Sequence, residues 1–267
     1  MGSIERKHLK KQLTLLAYHM EQSTYYEEEK ISTTHWWFVN RRRLFTSELQ
    51  AVTSFSNETS VLDIGISSGT NLKMLKELGC ERIFGVDIST EAVSICNKHG
   101  FNAVLGSVEN LPFDDNSFDI ILATDVLEHL DDEAVALEEI SRVLKEDGIV
   151  LFTVPAFQVL WGHQDIVAHH KRRYTLKAFT KIILQHNFNI SRSYYFNFLL
   201  FFPILLYRKF VLLLKRPVRG ENSINTTIVN KIFSAIFFLD IMLAPLVRPP
   251  FGVSILAIAS PKNKPVP

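Results

Sequence analysis

From residue 61 to residue 156 the chain alternates short apolar runs with longer stretches whose apolar residues recur at helical spacing, with a Gly or a charged turn between them. Strand-like runs fall at 61–64, 82–86, 103–105, 118–124 and 149–154. Helix-like stretches lie between them, at 70–78 closed by Gly79 and at 90–99 opened by the N-cap candidate Ser89 and closed by Gly100. A third, 131–144, opens on acidic residues that suit a helix N-terminus and ends in Lys145-Glu146-Asp147-Gly148, read as a turn into the next strand. This rhythm predicts parallel α/β units. Beyond them come an irregular stretch at 157–174, a helix capped by Thr175 and running to about 185, a strand at 189–196 and a last strand at 254–259.

Between those last two strands the pattern changes. Residues 198–207 are an unbroken apolar run, interrupted by Arg208-Lys209 and resumed at 210–214, while 232–247 is broken by Ser234, Asp240 and Pro245. A spanning helix needs about twenty apolar residues, so neither run is expected to cross a bilayer. Arg208, Lys209, Lys215, Arg216 and Arg219 flank or interrupt the first run, which suits a helix lying in an anionic lipid interface. The competing expectation is a lid over a pocket or a homodimer interface.

Composition narrows the picture. The chain has 267 residues, 47% hydrophobic, with 29 basic and 28 acidic side chains, so one large core is affordable and no global field attracts nucleic acid. Its two cysteines, Cys80 and Cys96, lie in no metal-ligand or disulfide spacing. The first residues mix charge early and lack an apolar signal core, so a cytoplasmic protein, peripheral on the cytoplasmic face of a membrane, is expected.

The strongest chemical signal is Val61-Leu62-Asp63-Ile64-Gly65-Ile66-Ser67-Ser68-Gly69, a strand entering a small-residue turn before a helix. Gly65 and Gly69 permit tight turning and close approach of a ligand. Downstream, the second strand ends in Gly85-Val86-Asp87, where a carboxylate could accept two hydrogen bonds from a ribose diol. With Gly106-Ser107-Val108-Glu109-Asn110-Leu111-Pro112-Phe113, Asn116-Ser117-Phe118-Asp119, Asp125-Val126-Leu127-Glu128-His129-Leu130 and Arg142-Val143-Leu144-Lys145-Glu146-Asp147-Gly148, the segment resembles the class I methyltransferases dependent on S-adenosylmethionine (SAM), of the small-molecule type 11.

That resemblance implies a Rossmann-like fold with a seven-stranded, mostly parallel sheet whose last strand is antiparallel. It implies that Asp63, Gly65, Ser67 and Gly69 surround the methionine part of SAM, that Asp87 binds the ribose and that Ile88 packs on the adenine. Ser107 and Val108 fall where the family meets the adenine edge, and Thr124 with Asp125 lies beneath the sulfonium. Ser67 replaces the usual central glycine and Ser107 a common aspartate; serine is small enough for the first role and hydrogen-bonds in the second. An NAD-linked reductase would show a third phosphate-facing glycine and a hydride-transfer centre such as a Tyr-x-x-x-Lys pair, and no such pair follows the fourth strand.

Acceptor chemistry is expected in 157–174, because loops at the carboxyl ends of parallel strands form ligand crevices. Arg172, Arg173 and Tyr174 would bind the acceptor, and His163, Asp165 or His170 would take its proton. A metal is not expected among these loop residues, whose spacing is loose. Glu128 and His129 are read as structural. Near the N-terminus Trp36 and Trp37, in His35-Trp36-Trp37-Phe38 ahead of Arg41-Arg42-Arg43, are expected to cap the cofactor or meet a greasy acceptor. The organisation expected is a helical cap at 1–57, a SAM-binding domain at 58–196, a membrane-associated helical insertion at 197–252, and the last strand with a polar tail at 253–267. The function expected is methyl transfer to a small-molecule or lipid-linked acceptor; the alternative is a catalytically silent subunit that binds a partner or membrane.

Overall fold

A computed structural model describes residues 25–26, 28–214 and 226–262. Its frame is a sheet of seven strands: β1 (Ser60–Ile64), β2 (Arg82–Asp87), β3 (Asn102–Leu105), β4 (Phe118–Thr124), β5 (Leu144–Pro155), β6 (Phe188–Phe196) and β7 (Ser254–Pro261). The spatial order is β3-β2-β1-β4-β5-β7-β6. β7 runs antiparallel to β5 and β6, and the other pairings are parallel. The order reverses at β1, which has β2 on one side and β4 on the other, and a sheet of this kind opens its ligand crevice at the carboxyl ends beside that point.

The helices are α1 (Trp36–Gln50), α2 (Thr70–Glu77), α3 (Thr90–Lys98), α4 (Glu133–Val143), α5 (His163–Val167), α6 (Leu176–Gln185), α7 (Phe201–Leu214) and α8 (Thr227–Val247). They cover both faces, as the period of two along a strand dictates. Ile121 and Ala123 of β4 face a core shared with Leu137 and Ile140 of α4 and Phe179 and Ile183 of α6. Their neighbours Ile120 and Leu122 face the opposite core, with Leu44 and Leu49 of α1, Leu72 and Leu75 of α2, Cys96 of α3 and Phe237 of α8.

The expected strands and helices lie within one or two residues of those observed, with one exception. β5 begins at Leu144, so the turn expected at 145–148 lies inside the strand, as a register shift between the pairs Phe118↔Leu144 and Ile120↔Ile149.

The insertion differs more from expectation. α8 is one continuous helix of 21 residues, long and apolar enough by length and composition to cross a membrane. Ser234 and Asp240 do not interrupt it because they turn inward. The Ser234 hydroxyl accepts from Asn40 Nδ2 at 3.0 Å, and the Asp240 carboxylate accepts from the backbone N–H groups of Asn197 at 2.7 Å and Leu199 at 2.9 Å. Asn230 joins α8 to the start of α1, accepting from Trp36 N–H and donating to Thr34 O, each at 2.7 Å. The outward residues Ile228, Ile232, Phe238, Leu239, Met242 and Leu246 are exposed, so α8 is polar on part of its docked side and apolar on its free side. In α7, Phe202, Leu206, Phe210 and Leu213 are exposed, whereas Arg208 is buried and donates to Leu160 O. Arg208 therefore does not belong to the expected basic rim, and Lys215, Arg216 and Arg219 lie outside the described residues.

Candidate active site

The carboxyl ends of the parallel strands β1, β2, β3 and β4 lie side by side at one edge of the sheet, where such a fold opens its ligand cleft. After β1, Gly65 and Gly69 both take φ of 75°, and Gly69 is the N-cap of α2. A Cβ on Gly65 would come within 2.9 Å of Val126 Cγ2, and one on Gly69 within 2.8 Å of Cys96 Sγ, so both the backbone angle and the space demand glycine there. Ser67 holds a left-handed φ of 46° without being glycine. Its N–H donates to Asp87 Oδ2 at 3.1 Å, and Ser89 N–H donates to Asp87 Oδ1 at 2.8 Å. Burial pushes the Asp87 carboxyl up, against the pull of these amides. Ile88, directly after β2, is 78% exposed, a flat apolar wall with no protein covering it. Val108 is buried under β3, and Ser107 Oγ accepts from Glu109 N–H, so Ser107 shapes its own turn.

Asp63 is fully buried beneath the turn. Its Oδ1 accepts from Asn71 Nδ2 at 3.2 Å, the same amide donates to Thr124 Oγ1 at 3.3 Å, and Oδ2 has no hydrogen-bond partner. Burial pushes the Asp63 carboxyl up to about 8. Asp125, at the end of β4 with φ of 56°, pairs with Arg41 at 2.8 Å.

A second space adjoins this cleft, a cavity of about 380 Å³. Trp36, Trp37, Leu200, Ile204 and Phe233 form its apolar side, and Asp125, Glu128, His170 and Arg173 its polar side. The two tryptophans also serve the core: Trp36 meets Phe233 and Phe237 edge-on, and Trp37 stacks on Phe237 at 5.3 Å. Backbone strain gathers around these openings. Asp125, Phe157 and Asn197, following β4, β5 and β6, all have positive φ.

Asp165 organises the loop between β5 and α6. It is fully buried and accepts from Gly162 N–H, His170 Nδ1 and both Arg173 Nε and Nη2, at 2.8 to 3.0 Å. These donors hold its carboxyl down at about 2 against burial. It is thus the anchor of the loop, in place of the proton acceptor expected from the sequence. Arg172 turns to the amino end of α4, pairing with Glu133 at 2.9 Å and donating to the carbonyls of Leu130 and Asp131. Tyr174 is buried and donates to the same Glu133 at 2.6 Å. Neither lines the cavity, and His163, the first residue of α5, does not line it either. Of the loop residues expected to meet the acceptor, His170 and Arg173 reach it.

Glu128 and His129 occupy a single turn of 3-10 helix after β4. Burial pushes Glu128 well up, the nearby Asp125 adds to this, and its own backbone amide, Arg41 and Arg173 act against it. Burial and the neighbouring His170 push His129 down to about 4.

Two groups at the junction of the cleft and the cavity escape sequence reasoning. Glu28 Oε1 accepts from Ser67 Oγ at 2.9 Å and Ser68 Oγ at 3.1 Å, and burial pushes its carboxyl up. Arg41 pairs with Asp125 and lies over the Trp37 and Phe45 rings. Glu28 sits among other acids and Arg41 among other arginines, so only the folded chain distinguishes them.

Comparison with known proteins places this geometry. Residues 62–152 match the methyltransferase domain family. An uncharacterized protein of Methanocaldococcus jannaschii is 31% identical over 118 residues, 44% of this chain and 55% of that protein. The glycine/sarcosine/dimethylglycine N-methyltransferase of Actinopolyspora halophila is 34% identical over 38% of this chain and 19% of its own length. The chain thus spans about half or less of these relatives. In fold, it matches a chain from the complex between the Haloferax volcanii Trm112 methyltransferase activator and a protein described as a methyltransferase, with a TM-score of 0.60 and 17% identity, over 92% of this chain and 97% of that one.

Proposed function

With residues 62–152 belonging to the methyltransferase domain family, we propose that the chain transfers the methyl group of SAM to a small or lipid-linked acceptor held in the adjoining cavity. The observation that carries this reading is a junction: Glu28, Arg41 and Asp125 line the cavity, and Glu28 also bonds Ser67 and Ser68 of the turn between Gly65 and Gly69, whose main chain meets Asp87. The residues present fit the cofactor. The cradle at Gly65 and Gly69 has no room for a Cβ, Ile88 offers an uncovered apolar wall, and Asp87 stands where a diol would reach it. SAM supplies a methyl group already activated on a sulfonium.

The protein's part is then mainly alignment. Asp87 would hold the ribose hydroxyls, Ile88 would pack on the adenine, and the main chain around Ser67 would follow the methionine portion. Asp63, reaching the cleft only through Asn71, positions the floor on which Thr124 sits. Trp36, Trp37, Leu200 and Ile204 would grip an apolar acceptor body, and Arg173 and His170 would face its polar end, with His170 placed to accept a proton. Calorimetric titration with SAM is the test. Binding in the micromolar range supports the reading, and no heat at high micromolar SAM would favour a catalytically silent subunit instead.

We assign the outward faces of α7 and α8 to a lipid surface on the cytoplasmic side. Asn230, Ser234 and Asp240 of α8 are spent on internal bonds while its free side, apart from Thr227 and Lys231 in the first turns, is mostly Ile, Phe, Leu and Met, the reverse of a helix facing water. Lys209, with Lys215, Arg216 and Arg219 in the following sequence, adds the charge that anionic headgroups attract. Pro203, Ile204 and Tyr207 of α7 and Phe233 of α8 also wall the cavity, so a lipid-linked acceptor would have a short path from the bilayer.

A further inference from the structure

At the polar end of the cavity three potential ligand groups stand together, of which Glu128 and His170 line the cavity, and Glu128 and His129 have no part in the proposed reaction. Glu128 is fully buried, and neither of its carboxylate oxygens has a hydrogen-bond partner on another residue. Leaving a buried carboxylate unsatisfied is costly, and a native structure normally provides it with donors or a cation. His170 Nε2 lies 3.8 Å from Glu128 Oε1, within ion-pair reach but too far for a hydrogen bond. His129 sits beside it in the same turn, with its ring edge-on to that of His170 at 4.9 Å between centroids. One ligand atom from each of the three lies within 4.8 Å of the others.

The orientation of His170 is the second observation. Its Nδ1 is bonded to Asp165 at 2.9 Å, and Asp165 is itself locked by Arg173 and the Gly162 amide. This leaves Nε2 directed at Glu128. A carboxylate on one imidazole nitrogen, fixing the ring so that the other nitrogen is presented, is the arrangement that supports metal-bound histidines. We propose that Glu128, His129 and His170 form a site for one divalent transition-metal ion, open toward the cavity.

Two imidazoles and one carboxylate suit zinc, cobalt, nickel or iron better than magnesium or calcium, which prefer oxygen. Ligands around a tetrahedral ion with bonds of about 2.1 Å stand about 3.4 Å apart, so the Glu128–His170 pair is nearly at its final spacing and His129 needs only a side-chain shift. Glu128 and His170 line the cavity, so the remaining coordination position faces the space assigned to the acceptor. Three protein ligands and one open position is the composition of a reactive metal site. An acceptor oxygen or nitrogen bound there would be polarised by the ion, and His170 would then act as ligand and no longer as proton acceptor.

The site rests on these side chains and not on methyl transfer, and the SAM titration above tests the latter separately. The experiment is titration of the untagged, chelator-treated full chain with Co²⁺, followed by calorimetry and visible absorption. Expected are one Co²⁺ per chain, ligand-field bands of low-coordinate nitrogen–oxygen ligation, and displacement by Zn²⁺. His129→Ala and Glu128→Gln should each weaken Co²⁺ binding by about 100-fold or more, with SAM affinity unchanged. His129 is only half-buried, so His129→Ala carries the test even if Glu128→Gln fails to fold. Absence of stoichiometric binding by the wild type, or binding that His129→Ala and His170→Ala both leave intact, overturns the proposal.

Discussion

At the scale of single residues, the roles of the carboxylates are set by what surrounds each one. Asp87 ends its strand with both oxygens held by amides yet open to the cleft, and Asp87→Ala should weaken SAM binding about 10- to 100-fold, read by calorimetry. Asp165 is enclosed by Arg173, His170 and Gly162, and removing a buried partner strands the opposing charge. Asp165→Ala should therefore cost about 3–5 kcal/mol in urea unfolding. A variant of wild-type stability with lost turnover would return Asp165 to the role of base. Asp63 yields a pH prediction. Its carboxyl is pushed up to about 8 in the fold, so the folded chain holds a proton that the unfolded chain releases near pH 4. Stability from this group is therefore lost as pH rises from about 4 to about 8. Asp63→Asn keeps the shape without the charge, so its melting temperature should rise relative to wild type across that window and level off above it. A constant difference from pH 5 to pH 8 would show Asp63 ionised throughout. The ends of strands and their acids were legible in the sequence, but the enclosure of Asp165 was not, because its donors come from a loop without periodicity.

At the scale of elements, α8 shows where reading by hydrophobic pattern fails. Ser234 and Asp240 look like interruptions when polar is equated with outward, yet each meets a donor from another element. Asp240 caps the two amides with which the chain leaves β6, so it ties α8 to the sheet. Asp240→Ala would leave the buried Asn197 N–H unpaired, at about 1–3 kcal/mol, and should lower the denaturant midpoint accordingly. Preserved stability would mean that water reaches this corner. β5 carries the complementary lesson: 145–148 has the composition of a turn, but pairing with β4 absorbs it as an irregularity in the strand.

At the scale of the whole molecule, the exposed apolar sides of α7 and α8 predict attachment to lipid. In liposome sedimentation the wild type should pellet with anionic vesicles, less with neutral ones, and release partly in high salt. Replacing Phe202, Leu206, Phe210 and Leu213 by Ser should abolish pelleting while SAM binding persists, because these side chains face away from the cleft. Phe201 is excluded from the set because it is buried against Leu160 and Phe251. If the wild type stays in the supernatant at every composition and is a tight dimer, a second copy covers this surface. Resistance to both salt and carbonate extraction would mean that α8, long enough for it, enters the bilayer more deeply.

The local pattern alone determined the α/β frame, the turn from Gly65 to Gly69 and the place of Asp87, since strand period, helix period and backbone freedom at glycine act over a few residues. The tertiary structure decided the rest of the site. It brought Glu28 to Ser67 across 39 positions and Arg41 to Asp125, and it turned Arg172 and Tyr174 from the cavity to Glu133. It also set Glu128, His129 and His170 side by side. Such pairings depend on long-range packing, where a charged side chain takes whichever partner the fold presents, and no spacing along the chain encodes that choice.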